Sequence, residues 1–287
     1  MQKWAAMVQP VIGKVRIGAV MDAYIKERLP LKKPRTQQDY LDSIAILRPV
    51  FGEMWPEDIE PKHIYGYMAM RNAPVRANRD VAVLNNVMDQ AIRMGLINTN
   101  PCKQVRRNEE SPRTREVLDS EIVAFLPHCP DWLKAYIRLK LLTGLRQGDM
   151  LNIRLDQLRD DGLFVKTGKR DKRLLFTWND DLHLAINTIK AMHHRITSLY
   201  LFNSQRDGTA MTQSGFKSAW ARAMAKSMEA GSLTETFAEN DLRAKVATEA
   251  IELGQDATAM LAHSSDAVTK RHYARGTQKI EPLRKKY

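Results

Sequence analysis

The sequence predicts a mainly α-helical protein with a small β-hairpin, organised as two domains. Three observations carry this expectation. Apolar residues recur at helical spacing through most of the chain. Leu163-Phe164-Val165 and Arg173-Leu174-Leu175-Phe176 instead read as paired strands around the basic loop Lys166–Lys172. Residues 106–115 are polar, aperiodic and carry Pro112, which marks a break between two helical regions. A chain of 287 residues is long enough to build a separate core in each.

Residues 1–14 read as a short N-terminal tail, and residues 15–105 as a compact helical domain of four or five helices. Val20, Tyr24 and Ile25 repeat at helical spacing, and Thr36 is placed to cap a second helix with Tyr40, Ile44 and Leu47 on one face, ending near Phe51-Gly52. Pro61 opens a third, with Ile64, Tyr67 and Met68 inward. A longer helix from about Val75 carries Val81, Leu84, Val87, Met88 and Ala91 and stops at Gly95; Asn100-Pro101 closes the unit. The segment 106–115 is the expected linker, a long surface loop being the alternative. Residues 116–287 form the second domain and a C-terminal tail. There Ser120–Leu126 and the apolar run Leu133–Leu142 predict helices, a further helix is expected over Asp149–Leu158, and helices resume from Asp181 after the hairpin.

Composition narrows the function. A hydrophobic fraction of 44% and a charged fraction of 27% suit a soluble globular protein. Lys and Arg number 45 against 33 acids, a formal charge of +12, which favours a polyanionic partner through counterion release and steering; a basic surface serving solubility alone is the plainer alternative. Cys102 and Cys129 form neither a disulfide framework nor a zinc spacing and read as free thiols of a reducing compartment. No apolar run approaches the roughly 18 residues of a membrane span. The expected location is cytoplasmic, in a bacterium or phage-infected host, close to the nucleoid.

The most specific chemistry lies late in the chain. Asn240-Asp241-Leu242-Arg243, Leu261-Ala262-His263 and Tyr273 answer the earlier Thr143-Gly144-Leu145-Arg146. Arginine forks give paired hydrogen bonds to phosphate oxygens and stay charged at any biological pH, and a tyrosine oxygen can become a covalent nucleophile. In a basic chain this set points to DNA strand cleavage without a metal: there is no acidic cluster of the kind that holds Mg²⁺, and no cofactor is expected.

Taken together and in this order, the motifs resemble the tyrosine recombinase (phage integrase) family over about Arg16 to Gly276. The resemblance implies the family's two-domain architecture, a helical core-DNA-binding domain followed by a mixed α/β catalytic domain. Thr36, Tyr40, Phe51-Gly52, Ile59, Asn78, Gly95-Leu96-Ile97 and Asn100-Pro101 follow the order of the first; the motifs above follow the second. By that likeness Arg146 and Arg243 match the two catalytic arginines, His263 the histidine that donates to a non-bridging oxygen, and Tyr273 the nucleophile. Asp149, three residues after Arg146, matches an acid able to orient it. Lys166 matches the hairpin lysine that protonates the leaving oxygen, with Lys169 and Lys172 as rivals; Lys169, Arg170, Lys172 and His272 are also candidate DNA contacts.

Two departures stand out. Asn240 occupies the usual place of a histidine, so it can orient a phosphate but cannot exchange a proton near neutral pH. Ala262 replaces the usual glycine before His263, a change that by propensity alone favours helix. The resemblance implies site-specific cutting and rejoining of double-stranded DNA through a 3′-phosphotyrosine, for integration or excision of a phage or other mobile element. It also implies a homotetramer on DNA, with accessory bending or directionality proteins. A shortened or absent amino-terminal arm-binding module is expected. Alternatives are a catalytically weak DNA-binding protein of the same fold, or a nicking and resealing enzyme like type IB topoisomerases.

Overall fold

The computed structural model describes residues 14–168, 171–192, 198–204, 206–262, 265–267 and 269. The chain divides into two compact units, residues 1–111 and 112–287.

The first unit is helical among its described residues. Its main helices are α1 (Ile17–Glu27), α2 (Pro34–Phe51), α3 (Pro61–Met70) and α4 (Pro74–Arg93). Helices α2, α3 and α4 each begin with proline, whose fixed φ suits the first helical position. Pro34 therefore opens α2, two residues before the expected cap Thr36. Helices α1, α2 and α3 pack on α4, enclosing Val20, Tyr24, Leu47, Phe51, Ile64, Leu84, Val87 and Met88. Gly95 takes a left-handed φ of 73° just past α4, as the stop signal predicts. Asn100 caps a short 3₁₀ turn, Pro101–Gln104.

The region expected as linker is held in two parts. Buried Asn78 on α4 donates to Asn108 O at 2.9 Å and Glu110 Oε1 at 2.8 Å, and its own oxygen accepts from Asn108 N. Arg113 and Arg115 instead bond within the second unit, to Asp241 and to Glu121.

The second unit is built around α6 (Asp131–Thr143), whose apolar residues Leu133, Tyr136, Ile137 and Leu139 lie in a core with Phe125, Phe216, Trp220 and Phe237. Tyr136 packs on Phe216 with ring centroids 4.5 Å apart. Around α6 lie α5 (Asp119–Phe125), α7 (Gln147–Leu151), α8 (Asp180–Ala191), α9 (Gln213–Glu229), α10 (Glu239–Glu252) and the short α11 (Ala257–Met260). An antiparallel sheet of order β1-β2-β3 comprises β1 (Leu158–Arg159), β2 (Gly162–Lys166) and β3 (Arg173–Thr177). Leu163 and Val165 point into the core, which fixes the register that places Lys166 opposite Arg173.

The helix expected over Asp149–Leu158 is formed only at its start. Helix α7 stops at Leu151, where the Asn152 side chain donates to Gly148 O at 2.7 Å. A 3₁₀ turn, Leu155–Gln157, and the unforeseen strand β1 follow. Asparagine bonding back to the helix offers the backbone an alternative to continuing it.

Candidate active site

The Thr143–Arg146 segment is shaped by its own residues. Thr143 Oγ1 donates to Leu139 O at 2.8 Å, and Gly144 ends α6 in a left-handed conformation at φ 60°. A side chain at position 144 would also collide with Leu261, since its Cβ would lie 2.5 Å from Leu261 Cδ2. Glycine is thus required twice, by φ and by close approach. Leu145 then buries, and Arg146 leaves the turn in extended conformation at the N-cap of α7. Arg146 is half-buried, and its Nη1 has no hydrogen-bond partner among the described residues.

Arg243 joins the distant motifs. It lies on the buried face of α10 and is 1% exposed. Its Nη1 donates to Gly144 O at 2.6 Å and its Nη2 to Leu261 O at 2.6 Å. One guanidinium therefore spans the segment that delivers Arg146 and the segment that leads into His263. Such charge-assisted bonds are the stronger kind, and burial makes their loss costly.

The hairpin is tied to the same place. Asp149 Oδ1 accepts from Gly168 N at 2.8 Å, whereas no hydrogen bond or ion pair joins Asp149 to Arg146. The acid expected to orient Arg146 thus orients the hairpin loop. Lys166, at the end of β2, has its side chain 56% exposed, with Nζ 3.8 Å from Asp171 Oδ1. Buried Thr167 organises the turn: its N donates to Lys172 O, and its Oγ1 accepts from Lys172 N at 3.1 Å. Lys172 is exposed on this loop.

Asn240 is exposed in the first turn of α10, on the helix that carries Arg243. Ala262 adopts φ 51°. The sequence expectation that alanine eases helix here is corrected: the chain leaves the helical turn at this residue in a left-handed conformation, which is where glycine is favoured. The structure brings together the segments bearing Arg146, Asp149, Lys166 and Arg243 with Leu261-Ala262. His263, Tyr273, His272, Lys169 and Arg170 lie outside the described residues.

Several supporting residues escaped the sequence reading. Fully buried Lys140 on α6 donates to Leu145 O at 2.5 Å and pairs with Glu239 at 2.6 Å. Glu239 also accepts from Tyr136 OH at 2.6 Å. Burial pushes the Lys140 ammonium pKa below the ordinary lysine value, against the opposing pull of Glu239. The signal was present: Leu133, Tyr136, Ile137 and Lys140 share one helical face, so the lysine is inward. Asp241, one residue past Asn240, accepts from Ala238 N at 2.7 Å and from the Arg113 guanidinium.

Comparison with known proteins places the chain in a family and a fold. Residues 116–279, more than half of the sequence, match the phage integrase family. The chain belongs to that family. Among curated relatives, the Integrase of Escherichia phage HK022 is 26% identical over 151 residues, a match covering 50% of this chain and 42% of that protein. The matched region thus spans less than half the length of that relative. Among solved structures, a lambda integrase tetramer bound to a Holliday junction superposes with a TM-score of 0.76 at 21% identity, covering 94% of this chain and 81% of that one. The Tn1549 transposon integrase in complex with circular intermediate DNA gives 0.72 at 16% identity, covering 92% and 96%. At these identities the likeness is one of fold. This phage integrase family member thus has the predicted fold class, mainly α with a small antiparallel sheet. Among its described residues no helix is long and apolar enough to cross a membrane.

Proposed function

We propose that this chain is a tyrosine-type site-specific DNA recombinase that cuts and rejoins double-stranded DNA through a 3′-phosphotyrosine. The observation that carries the reading is the Arg243 guanidinium bonded to both Gly144 O and Leu261 O, which joins three sequence motifs of the resemblance at one place. In this reading Arg146 donates to the scissile phosphate, and the charge of Arg243 lies behind it. His263 donates to a non-bridging oxygen. Preorganised donors of this kind stabilise charge that develops in the transition state. The Tyr273 oxygen attacks phosphorus, the bond from phosphorus to the 5′ oxygen breaks, and Lys166 supplies that oxygen with its proton. The tyrosine proton leaves to water, since Asn240 cannot accept it. A 5′ hydroxyl from a partner strand reverses the step and reseals the backbone without an external energy source.

The relatives' complexes support the wider reading: a homotetramer on paired DNA sites, exchanging strands through a four-way junction during integration or excision of a mobile element. Accessory bending proteins and a nucleoid-associated, cytoplasmic location belong to the same proposal. Asn240 favours one second reading, a DNA-binding protein of weakened catalysis. A labelled duplex nicked beside the cleavage position decides between them. A covalent protein–DNA adduct that disappears in Tyr273→Phe supports the recombinase, and no adduct from the wild type supports the binding protein. Joining of two separate sites, against relaxation of any supercoiled plasmid, distinguishes it from a topoisomerase-like enzyme.

A further inference from the structure

We infer that Lys140 is a positioning residue for the catalytic arginines, acting from the core through its contacts with Leu145 and Glu239; this rests on the recombinase reading above. The side chain is completely buried, yet its ammonium makes two polar contacts, with Leu145 O at 2.5 Å and the Glu239 carboxylate at 2.6 Å. Leu145 immediately precedes Arg146. Glu239 opens α10 one helical turn before Arg243. One ammonium therefore fixes the two arginine-bearing segments to α6. Tyr136, one turn earlier on α6, adds its hydroxyl to Glu239 at 2.6 Å, so the carboxylate is held by two donors from the same helix.

Stability is a poor explanation for this arrangement. Taking a lysine and a glutamate out of water costs about as much as their attraction returns, and well-packed apolar residues of the same size often do as well or better. What an apolar pair cannot do is hold the Leu145 carbonyl at a fixed point. That carbonyl sits in the short turn between Gly144, whose own carbonyl is taken by Arg243, and Arg146. The two anchors are complementary: Arg243 reaches from α10 to the turn, and Lys140 reaches from α6 to the turn and to α10. Together they restrict the Arg146 backbone from both sides. Displacement of a reacting group by about 1 Å can cost 10²-fold in rate, so loss of one anchor is expected to be visible in chemistry before it is visible in binding.

The test compares wild type, Lys140→Met and the double variant Lys140→Met/Glu239→Gln on a nicked suicide duplex at saturating DNA. The double variant removes both buried charges while leaving an amide oxygen to accept from Tyr136, so it stays informative if the single variant fails to fold. The expected result is a double variant with wild-type DNA affinity and melting temperature but about 10²-fold slower adduct formation. A second duplex carries a neutral methylphosphonate at the scissile position, which needs less cationic support. If Lys140 acts through the arginines, wild-type and variant rates converge on that substrate. A double variant that cleaves the phosphate as fast as wild type overturns the inference alone. So does a defect that is equally large on the methylphosphonate, because that marks a general loss of structure. A wild type that forms no adduct overturns the recombinase reading together with the inference.

Discussion

The Arg113 guanidinium clasps the buried Asp241 carboxylate, with Nε 2.8 and 2.9 Å from its two oxygens and Nη2 2.7 Å from one of them. Arg113 is half exposed at the start of the second unit, while Asp241 sits in the first turn of α10 between Asn240 and Arg243. Arg113→Ala would take the guanidinium fork away from a buried carboxylate that also accepts from Ala238 N at the helix start. We expect a loss of about 2 kcal/mol in denaturant unfolding, with Arg113→Lys intermediate because one ammonium cannot replace a bidentate fork.

Arg146 and Arg243, both placed at the phosphate in the proposed reaction, should separate in their effects. Arg243→Ala removes a buried guanidinium and strips two buried carbonyls of their donor, so it should cost at least about 3 kcal/mol of stability as well as activity. Arg146→Ala should abolish adduct formation while changing stability by no more than about 0.5 kcal/mol, since Arg146 Nη1 has no hydrogen bond to lose among the described residues. Chemical denaturation beside a cleavage assay reads both. Equal stability losses would refute the division of roles.

Ala262→Gly should be neutral or stabilising. An alanine at φ 51° carries a left-handed penalty of about 1–2 kcal/mol, which exceeds the roughly 0.5–1 kcal/mol that glycine loses in chain entropy. The same substitution at Ala247, within α10, should destabilise by about 1 kcal/mol. Thermal melts should therefore show Ala247→Gly lowered and Ala262→Gly unchanged or raised.

Both thiols should be inert in the native protein. Burial pushes Cys102 and Cys129 up to about 12, so the thiolate that reacts with alkylating or disulfide reagents is scarce at pH 8. Titration with a chromogenic disulfide should count no fast thiols in the folded chain and two after unfolding. Rapid native labelling of either would contradict this.

Much of the fold was legible because it follows from periodicity and punctuation. Pro61 and Gly95 bound helices of the first unit as read, and Leu163 and Val165 set the strand face, whereas two further helices open at Pro34 and Pro74, slightly before Thr36 and Val75 where the pattern placed them. What escaped depends on contacts that no local pattern encodes. Residues 149–158 have enough apolar residues for a helix, but the Asn152 side chain competes for the backbone. Asp149 is one turn from Arg146, yet its partner is a peptide N–H nineteen residues away in sequence. Arg146 and Arg243 stood out as motif residues; that Arg243 is a buried strut, and that Lys140 and Asp241 flank it, required the packed chain.

The bonds that hold the site together have a shared property: their acceptors at Gly144, Leu145 and Leu261, and the donor at Gly168, are peptide groups. Evolutionary drift can exchange side chains without deleting a peptide group. A one-residue insertion or deletion, by contrast, carries the carbonyl out of reach at once. Such a centre should tolerate extensive divergence in identity while policing loop length strictly, which is consistent with a fold held in common at 16–21% identity.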